Sequence, residues 1–380
     1  MGFLISIATW VARAVYAVLK GVAPQRRKVV FLSRQSDAPS RDFELLAAAL
    51  HERDPGVEIV MRCRMVGPSP ADRIVAVFSM LGQMYHLASA GACVVDGYVI
   101  PVSLLDHRPG MYVVQLWHAI GAIKKFGYQT VGRPGGHSPR VASSMRMHRN
   151  YDLVPCGGAG TVPLFAEAFG VDRRIVEPIG MPRMDLLRAA AEARDAGMDT
   201  AHVAALRSAF PRLSEPGRTV VLYAPTFRKL GEDRYRDVAA RFSDQRYTLI
   251  VKPHPLENAS VEGANVINAG AFDILDVLPV CDAVITDYSA VAFEAAVMGV
   301  PVGFFVYDID RYADDCGLNI DPLVEMASVA SREIGPLADG IDAGDAHPEV
   351  TEMLRARYAS APVGCADRIA ERILARMRTA

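Results

Sequence analysis

The sequence predicts an α/β protein made of two doubly wound domains with parallel sheets. Three observations predict it. Short apolar, β-branched runs recur along the chain, separated by stretches of helical period. The runs are apolar almost throughout, as in strands buried on both faces, rather than alternating. They form two sets on either side of a break near SEPGR in residues 195–217, and 380 residues suit two domains.

In chain order, residues 3–20 (FLISIATWVARAVYAVLK) form a helix. Its polar or amphipathic positions Ser6, Thr9, Arg13, Tyr16 and Lys20 recur every three or four residues, making one stripe on an apolar surface. Arg13 interrupts the run before the roughly 20 apolar residues that a membrane span requires. Pro24 stops the helix, and Arg26, Arg27 and Lys28 follow. An amphipathic helix lying on an anionic membrane surface fits this pattern; a helix packed on the core is the other reading. Strands are expected at 29–33, 58–63, 93–98, 111–118, 151–156 and 174–180, with helices at 42–53 and 71–90. The second set comprises 219–226, 247–254, 265–270, 282–289 and 301–308, with helices at about 233–242, 272–280 and 290–299. An amphipathic helix at 365–378 is free to pack on either domain. The expected division is the helix in 1–25, an N-terminal domain in 28–200 and a C-terminal domain in 210–380.

Composition excludes several classes. A hydrophobic fraction of 51% with 22% charged residues does not fit a disordered chain, a collagen or a coiled coil. A net charge of -2 gives no support to nucleic-acid binding. Six scattered cysteines with no CxxC pair argue against a disulfide framework or a zinc knuckle. GxGxxG and GxxxxGK[ST] are both absent. Of 41 basic residues only six are lysine, and Lys124, Lys125, Lys229 and Lys252 fall in segments that stand out for other reasons.

In doubly wound sheets, ligands bind beyond the carboxyl ends of the strands, so polar residues just after strands are the candidates. His118 ends a strand in QLWHAIGAIKKFGY and suits a general base, a hydrogen-bonded structural histidine being the alternative; Gly121 and Gly127 would allow close approach to a ligand. No acidic residue occurs between Asp106 and Asp152, a stretch that holds Lys124, Lys125, Arg133 and Arg140 among its cations. It reads as an anion patch or as a solvated loop. LYAPTFRK places Thr226 and Arg228 after a strand, VKPHP places Lys252 and His254 after the next, and ITDYSAVAFE places Asp287, Ser289 and Ala290 at a strand-to-helix turn. Arginine can grip phosphate bidentately, and a helix N-terminus capped by Ser289 offers free N–H groups. Asp308 follows the next strand and could take a donor hydroxyl. No metal site is expected.

Taken in order, WHAIGAIKKFG (117–127), GMPRMD (180–185), LYAPTFR (222–228), KPHP (252–255), ITDYSAVAFE (285–294) and PVGFFVYDIDRY (301–312) resemble the CDP-glycerol glycerophosphotransferase family of teichoic acid biosynthesis. The resemblance covers roughly residues 28–375. Ser289-Ala290 stands where the family often has Ser-Ser, and Glu294 where it often has Asp. The resemblance implies a GT-B-like architecture, with an acceptor-side first domain and a nucleotide-donor-binding second domain. It implies transfer of a polyol phosphate, glycerol phosphate foremost, from CDP-glycerol or CDP-ribitol to a hydroxyl of a polyprenyl-linked cell-wall polymer at the cytoplasmic face of the membrane, releasing CMP. A GT-B glycosyltransferase using a UDP- or GDP-sugar is the alternative. On this reading His118 and His254 are catalytic. Arg228, Thr226, Lys252, Asp287, Ser289, Ala290 and Asp308 hold the donor, and Lys124, Lys125, Arg133 and Arg140 form an acceptor or anion patch.

Overall fold

The computed structural model describes residues 2–379 except 66, 68, 135, 229–233, 255, 256 and 258, and of residues 2–6, 70, 71, 73, 74 and 379 it describes the backbone alone. Lys229 and Pro255, named above, lie outside the described residues. The chain forms two compact units: Met1–Ala119 with Phe126–Arg183 and Ala361–Ala380, and Ile120–Lys125 with Met184–Ser360.

The first unit carries four parallel strands in the order β2-β1-β3-β4: β1 (Lys28–Ser33), β2 (Glu58–Cys63), β3 (Ala92–Val95) and β4 (Tyr112–Gln115). A short parallel pair, β5 (Val154–Pro155) and β6 (Val176–Glu177), follows. Val29, Val30, Phe31 and Leu32 of β1 are completely buried, which explains their continuous apolar run. The helix α2 (Arg41–Arg53) begins at Ser40, whose hydroxyl accepts from the Phe43 N–H. The last helix, Cys365–Thr379, packs on α2 through buried Ile369, Ala370, Ile373 and Leu374, so the C-terminus completes the first unit's core. Its apolar stripe had left that choice open.

The second unit holds β7 (Thr219–Tyr223), β8 (Tyr247–Val251), β9 (Val266–Asn268), β10 (Ala283–Thr286), β11 (Val302–Phe305) and β12 (Ala330–Ser331), all parallel, in the order β12-β11-β10-β7-β8-β9. Successive strands grow outward one way from β7 and then the other way from β10. The order therefore reverses between β7 and β10, and a crevice opens there. The helix Val291–Met298 is buried at every position and stops at left-handed Gly299.

All eleven expected strands occur, most of them shorter at their C-terminal ends. There the polar residues singled out above leave the ladder for loops. The two-residue β12 was not expected. The break expected at 195–217 lies at Arg183–Met184. Arg183 belongs to the first unit because its N–H and Nε donate to the buried Asp42 carboxylate at 2.8 and 2.7 Å.

The helix α1 (Gly2–Val22) runs along α3 (Pro70–Ser89). Its polar stripe faces the protein. Tyr16 is buried with its hydroxyl 2.9 Å from His107 Nδ1, and Lys20 Nζ donates to the Asp106 carbonyl at 2.7 Å. The Arg108 guanidinium donates to the Lys20 and Ala23 carbonyls. The apolar side faces outward, with Trp10 71% and Val18 65% exposed, beside Phe78 of α3 at 70%. No helix of the described residues is long and apolar enough to cross a membrane.

Candidate functional site

In the second unit the crevice between β7 and β10 gathers most of the expected donor residues. The loops leaving these strands are tied together where the Thr226 N–H donates to both Asp287 oxygens, at 2.9 and 3.1 Å. Thr226 is buried, and its Oγ1 has no hydrogen-bond partner among the described residues. A buried hydroxyl without a partner is costly unless a ligand satisfies it.

Arg228 is more deeply engaged than its sequence suggested. Its Nη1 reaches Asp287 at 2.7 Å and the Thr226 carbonyl at 2.7 Å. Its Nε and Nη2 reach the two Asp308 oxygens at 2.7 and 3.0 Å. These contacts occupy four of the five N–H donors of a guanidinium. The rings of Tyr288, Tyr307 and Tyr312 surround it. Burial alone would favour loss of its proton; the hydrogen bonds to Asp308 and the charge of Asp287 override this and hold it charged. Asp308 also accepts from the Tyr288 hydroxyl at 3.1 Å. Burial would raise the Asp308 pKa, but Arg228 draws it below the usual carboxylate value. One arginine between two carboxylates leaves this cluster one charge short of neutral. An open, phosphate-gripping guanidinium is therefore not what the geometry provides; Arg228 clamps three loops.

Among the described residues, Lys124 is a cation within electrostatic reach of this cluster. Residues Ile120–Lys125 form a strap belonging to the second unit, while the chain on either side belongs to the first. Lys124 makes an antiparallel bridge with Leu318, the Lys125 N–H donates to Gly317 O at 3.0 Å, and the Asn319 N–H donates to Ile123 O at 2.7 Å. Gly121 lies on Phe293 of the central helix, where a Cβ would come within 2.8 Å of the ring. The glycine thus serves chain packing here; a Cβ at Gly127, likewise, would meet the Ala168 carbonyl at 2.2 Å. Burial lowers the Lys124 pKa, Asp287 and Cys316 raise it, and Arg228 lowers it. Among the described residues its ammonium makes no hydrogen bond. Lys124 and Lys125 thus sit in a different unit from Arg133 and Arg140, with which the sequence had grouped them.

His254, half-buried, lies with its ring centroid 5.5 Å from that of Phe227, tilted by 36°. Burial and then the charge of Lys124 lower its pKa, so the ring is neutral near pH 7. Lys252 donates to Gly270 O at 3.2 Å. Ser289 does not occupy the N-cap; Ala290 does, and the Ser289 hydroxyl accepts from Val291 N–H at 3.4 Å. The next two N–H groups, of Ala292 and Phe293, turn to the Ser289 and Ala290 carbonyls at 3.4 and 3.0 Å.

In the first unit His118 is exposed, beyond β4, at a turn whose preceding residue Trp117 has φ 60°. The side chain of Gln115 fixes the turn by accepting from the Trp117 N–H at 2.8 Å. His118 Nδ1 lies 3.1 Å from the Asp96 carbonyl. A carbonyl only accepts, so Nδ1 carries the proton and the lone pair of the neutral ring is on Nε2, the arrangement a base requires. Asp96, at the end of β3, was not singled out in the sequence. Burial pushes its carboxyl up to about 6. An acid directly after an apolar strand was the available signal. Arg140 is exposed and Arg133 half-exposed in the loop beyond.

A sequence profile described as CDP-Glycerol:Poly(glycerophosphate) glycerophosphotransferase matches residues 15–376. A teichoic acid ribitol-phosphate primase of Bacillus spizizenii is 30% identical over 323 residues, covering 82% of this chain and 81% of that protein. A teichoic acid glycerol-phosphate primase of the same organism is 27% identical, covering 76% and 70%. Among solved structures, the wall teichoic acid polymerase TagF superposes with a TM-score of 0.76 at 17% identity, covering 100% of this chain and 98% of that one. That likeness carries the fold, which is GT-B-like.

Proposed function

The chain belongs to the CDP-glycerol:poly(glycerophosphate) glycerophosphotransferase family, and on that premise we propose how its residues move a polyol phosphate from a CDP-activated donor to an acceptor hydroxyl. The observation that carries the reading is the crevice between β7 and β10, with its unsatisfied Thr226 hydroxyl, the start of the helix Val291–Met298 and the charge of Lys124. These groups suit a diphosphate: a cation, a hydroxyl and the positive end of a helix, at the switch point of a parallel sheet.

The acceptor hydroxyl attacks the β-phosphorus in line. The bond from that phosphorus to the bridging oxygen breaks, and the oxygen leaves with CMP. His118 Nε2 takes the hydroxyl proton. Lys124 and neutral His254 as an N–H donor stabilise the charge that grows on the diphosphate, with the positive end of the helix Val291–Met298 beside them. Arg228, Asp287 and Asp308 position these groups without touching the donor, and Lys252 holds the loop after β9. Ser289 and Ala290 shape the approach to the helix N-terminus. Arg133 and Arg140 are left to attract an anionic acceptor.

The acceptor is a polyprenyl-linked cell-wall polymer, and the site works at the cytoplasmic face of the membrane. The outward apolar faces of α1 and α3 support that placement, because lipid is the partner that would cover them. The test is CMP release by the purified protein with CDP-glycerol, CDP-ribitol and a UDP-sugar in parallel, with and without a membrane extract. Acceptor-dependent CMP release from a CDP-polyol is expected. Release of UDP, or of no nucleotide from any donor, would overturn the reading.

A further inference from the structure

The first unit has its own switch point. Its strand order reverses between β1 and β3. Beside it, beyond the carboxyl ends of β1, β2 and β3, lies a cavity of about 260 Å³. Arg34 enters it directly after β1 and Arg64 directly after β2. Met65, Val75, Met80 and Ile100 supply apolar wall. Two guanidiniums over an apolar floor form an uncommon lining. Arg34 has no hydrogen bond or ion pair among the described residues. Asp72 also lines the cavity and acts on Arg64, but its carboxylate accepts from the Ser69 N–H at 3.0 Å and caps α3.

The lining selects its occupant. A bare inorganic anion would leave the apolar wall wet, and a hydrocarbon would leave two guanidiniums unpaired. A phosphate or pyrophosphate ester of a long apolar chain satisfies both. The apolar wall also runs outward: Met65 and Val77 line the cavity and are themselves about half exposed, and they lead to Phe78 and Leu81 on the outer face of α3. The cavity is too small for a whole long-chain lipid, but it suits the phosphate-bearing end with the chain continuing along α3.

We infer that this cavity binds the phosphate-bearing end of the acceptor's polyprenyl chain, with Arg34 and Arg64 on the phosphate. The inference rests on the acceptor reading above and adds the place where that lipid is held.

Farnesyl pyrophosphate is a soluble probe of this chemistry. Its equilibrium affinity for the full chain would be compared with those of farnesol and inorganic pyrophosphate, for wild type and for the Arg34→Gln/Arg64→Gln variant. The whole ester is expected to bind at least about tenfold more tightly than either half. The variant should lose at least about tenfold, with an unshifted unfolding midpoint. Phosphatidylcholine vesicles carrying a polyprenyl phosphate should retain wild type better than the variant. Vesicles of equal charge carrying phosphatidylglycerol should not discriminate. A probe that binds no better than pyrophosphate, a variant that binds like wild type, or equal discrimination on phosphatidylglycerol would overturn the inference. If CMP release from a CDP-polyol persists while the probe fails to bind, the cavity alone is misread; if no donor yields CMP, the reading beneath it fails.

Discussion

Two side chains, His118 and Lys124, carry distinct loads in this transferase. In the proposed mechanism His118 takes the acceptor proton, so His118→Ala should lower turnover about 10²–10⁴-fold with donor affinity kept, measured as CMP release and donor titration. Unchanged turnover would remove it from the mechanism. Lys124 is proposed to act on the donor. Lys124→Met should weaken CDP-polyol binding about tenfold or more, and equal affinity would return Lys124 to a solvated-patch role. These two residues show what the sequence could and could not reveal. The position of His118 beyond β4 was legible, because a polar residue ends an apolar run there, where parallel sheets bind ligands. The side to which Lys124 belongs was not, because six residues of strap carry no local signal of the unit they pack in. Asp96 ended a strand as plainly as His118, but its perturbation comes from burial, which only the fold creates.

At the scale of elements, the loops after β7, β10 and β11 are held by one buried guanidinium. Removing one partner of a buried ion cluster typically costs about 3–5 kcal/mol, so Arg228→Ala should lower stability by that order and weaken donor binding as well. Arg228→Lys should rescue neither fully, since an ammonium cannot span both carboxylates. Urea unfolding and donor titration would check both, and a variant as stable as wild type would contradict the clamp. A second local assembly makes the first unit sensitive to acid. His148 is buried among the rings of Tyr98, Trp117, Tyr151 and Phe169, and burial lowers its pKa to about 4. The folded state therefore resists protonation that the unfolded chain accepts near 6.5. The stability this gives is complete above pH 6.5 and is lost as pH falls toward about 4, by up to about 3 kcal/mol. His148→Gln should flatten that part of the stability–pH curve; an unchanged slope would place the acid sensitivity elsewhere. The element pattern itself was readable, strand by strand. The ends were not, because ladder pairing stops where polar residues turn to other partners, as Thr226 does to Asp287.

At the scale of the molecule, each sheet has a switch point, one proposed to take a nucleotide diphosphate and one a lipid phosphate. The helix α1 was foreseen from its stripe, but which way the stripe faces was set by Asp106, His107 and Arg108, distant in sequence. With its apolar side outward, the protein should sediment with anionic vesicles, about tenfold or more less in a Trp10→Glu/Val18→Glu variant. Equal sedimentation would remove α1 from membrane contact. The most direct test of the whole account follows the transferred group. With CDP-[¹⁴C]glycerol or CDP-[¹⁴C]ribitol and a membrane acceptor, label should enter the lipid-extractable fraction in one-to-one proportion to CMP released. The His118→Ala variant should do neither at an appreciable rate. Release of CMP with the label left as soluble polyol phosphate, or transfer by the variant at the wild-type rate, would contradict it.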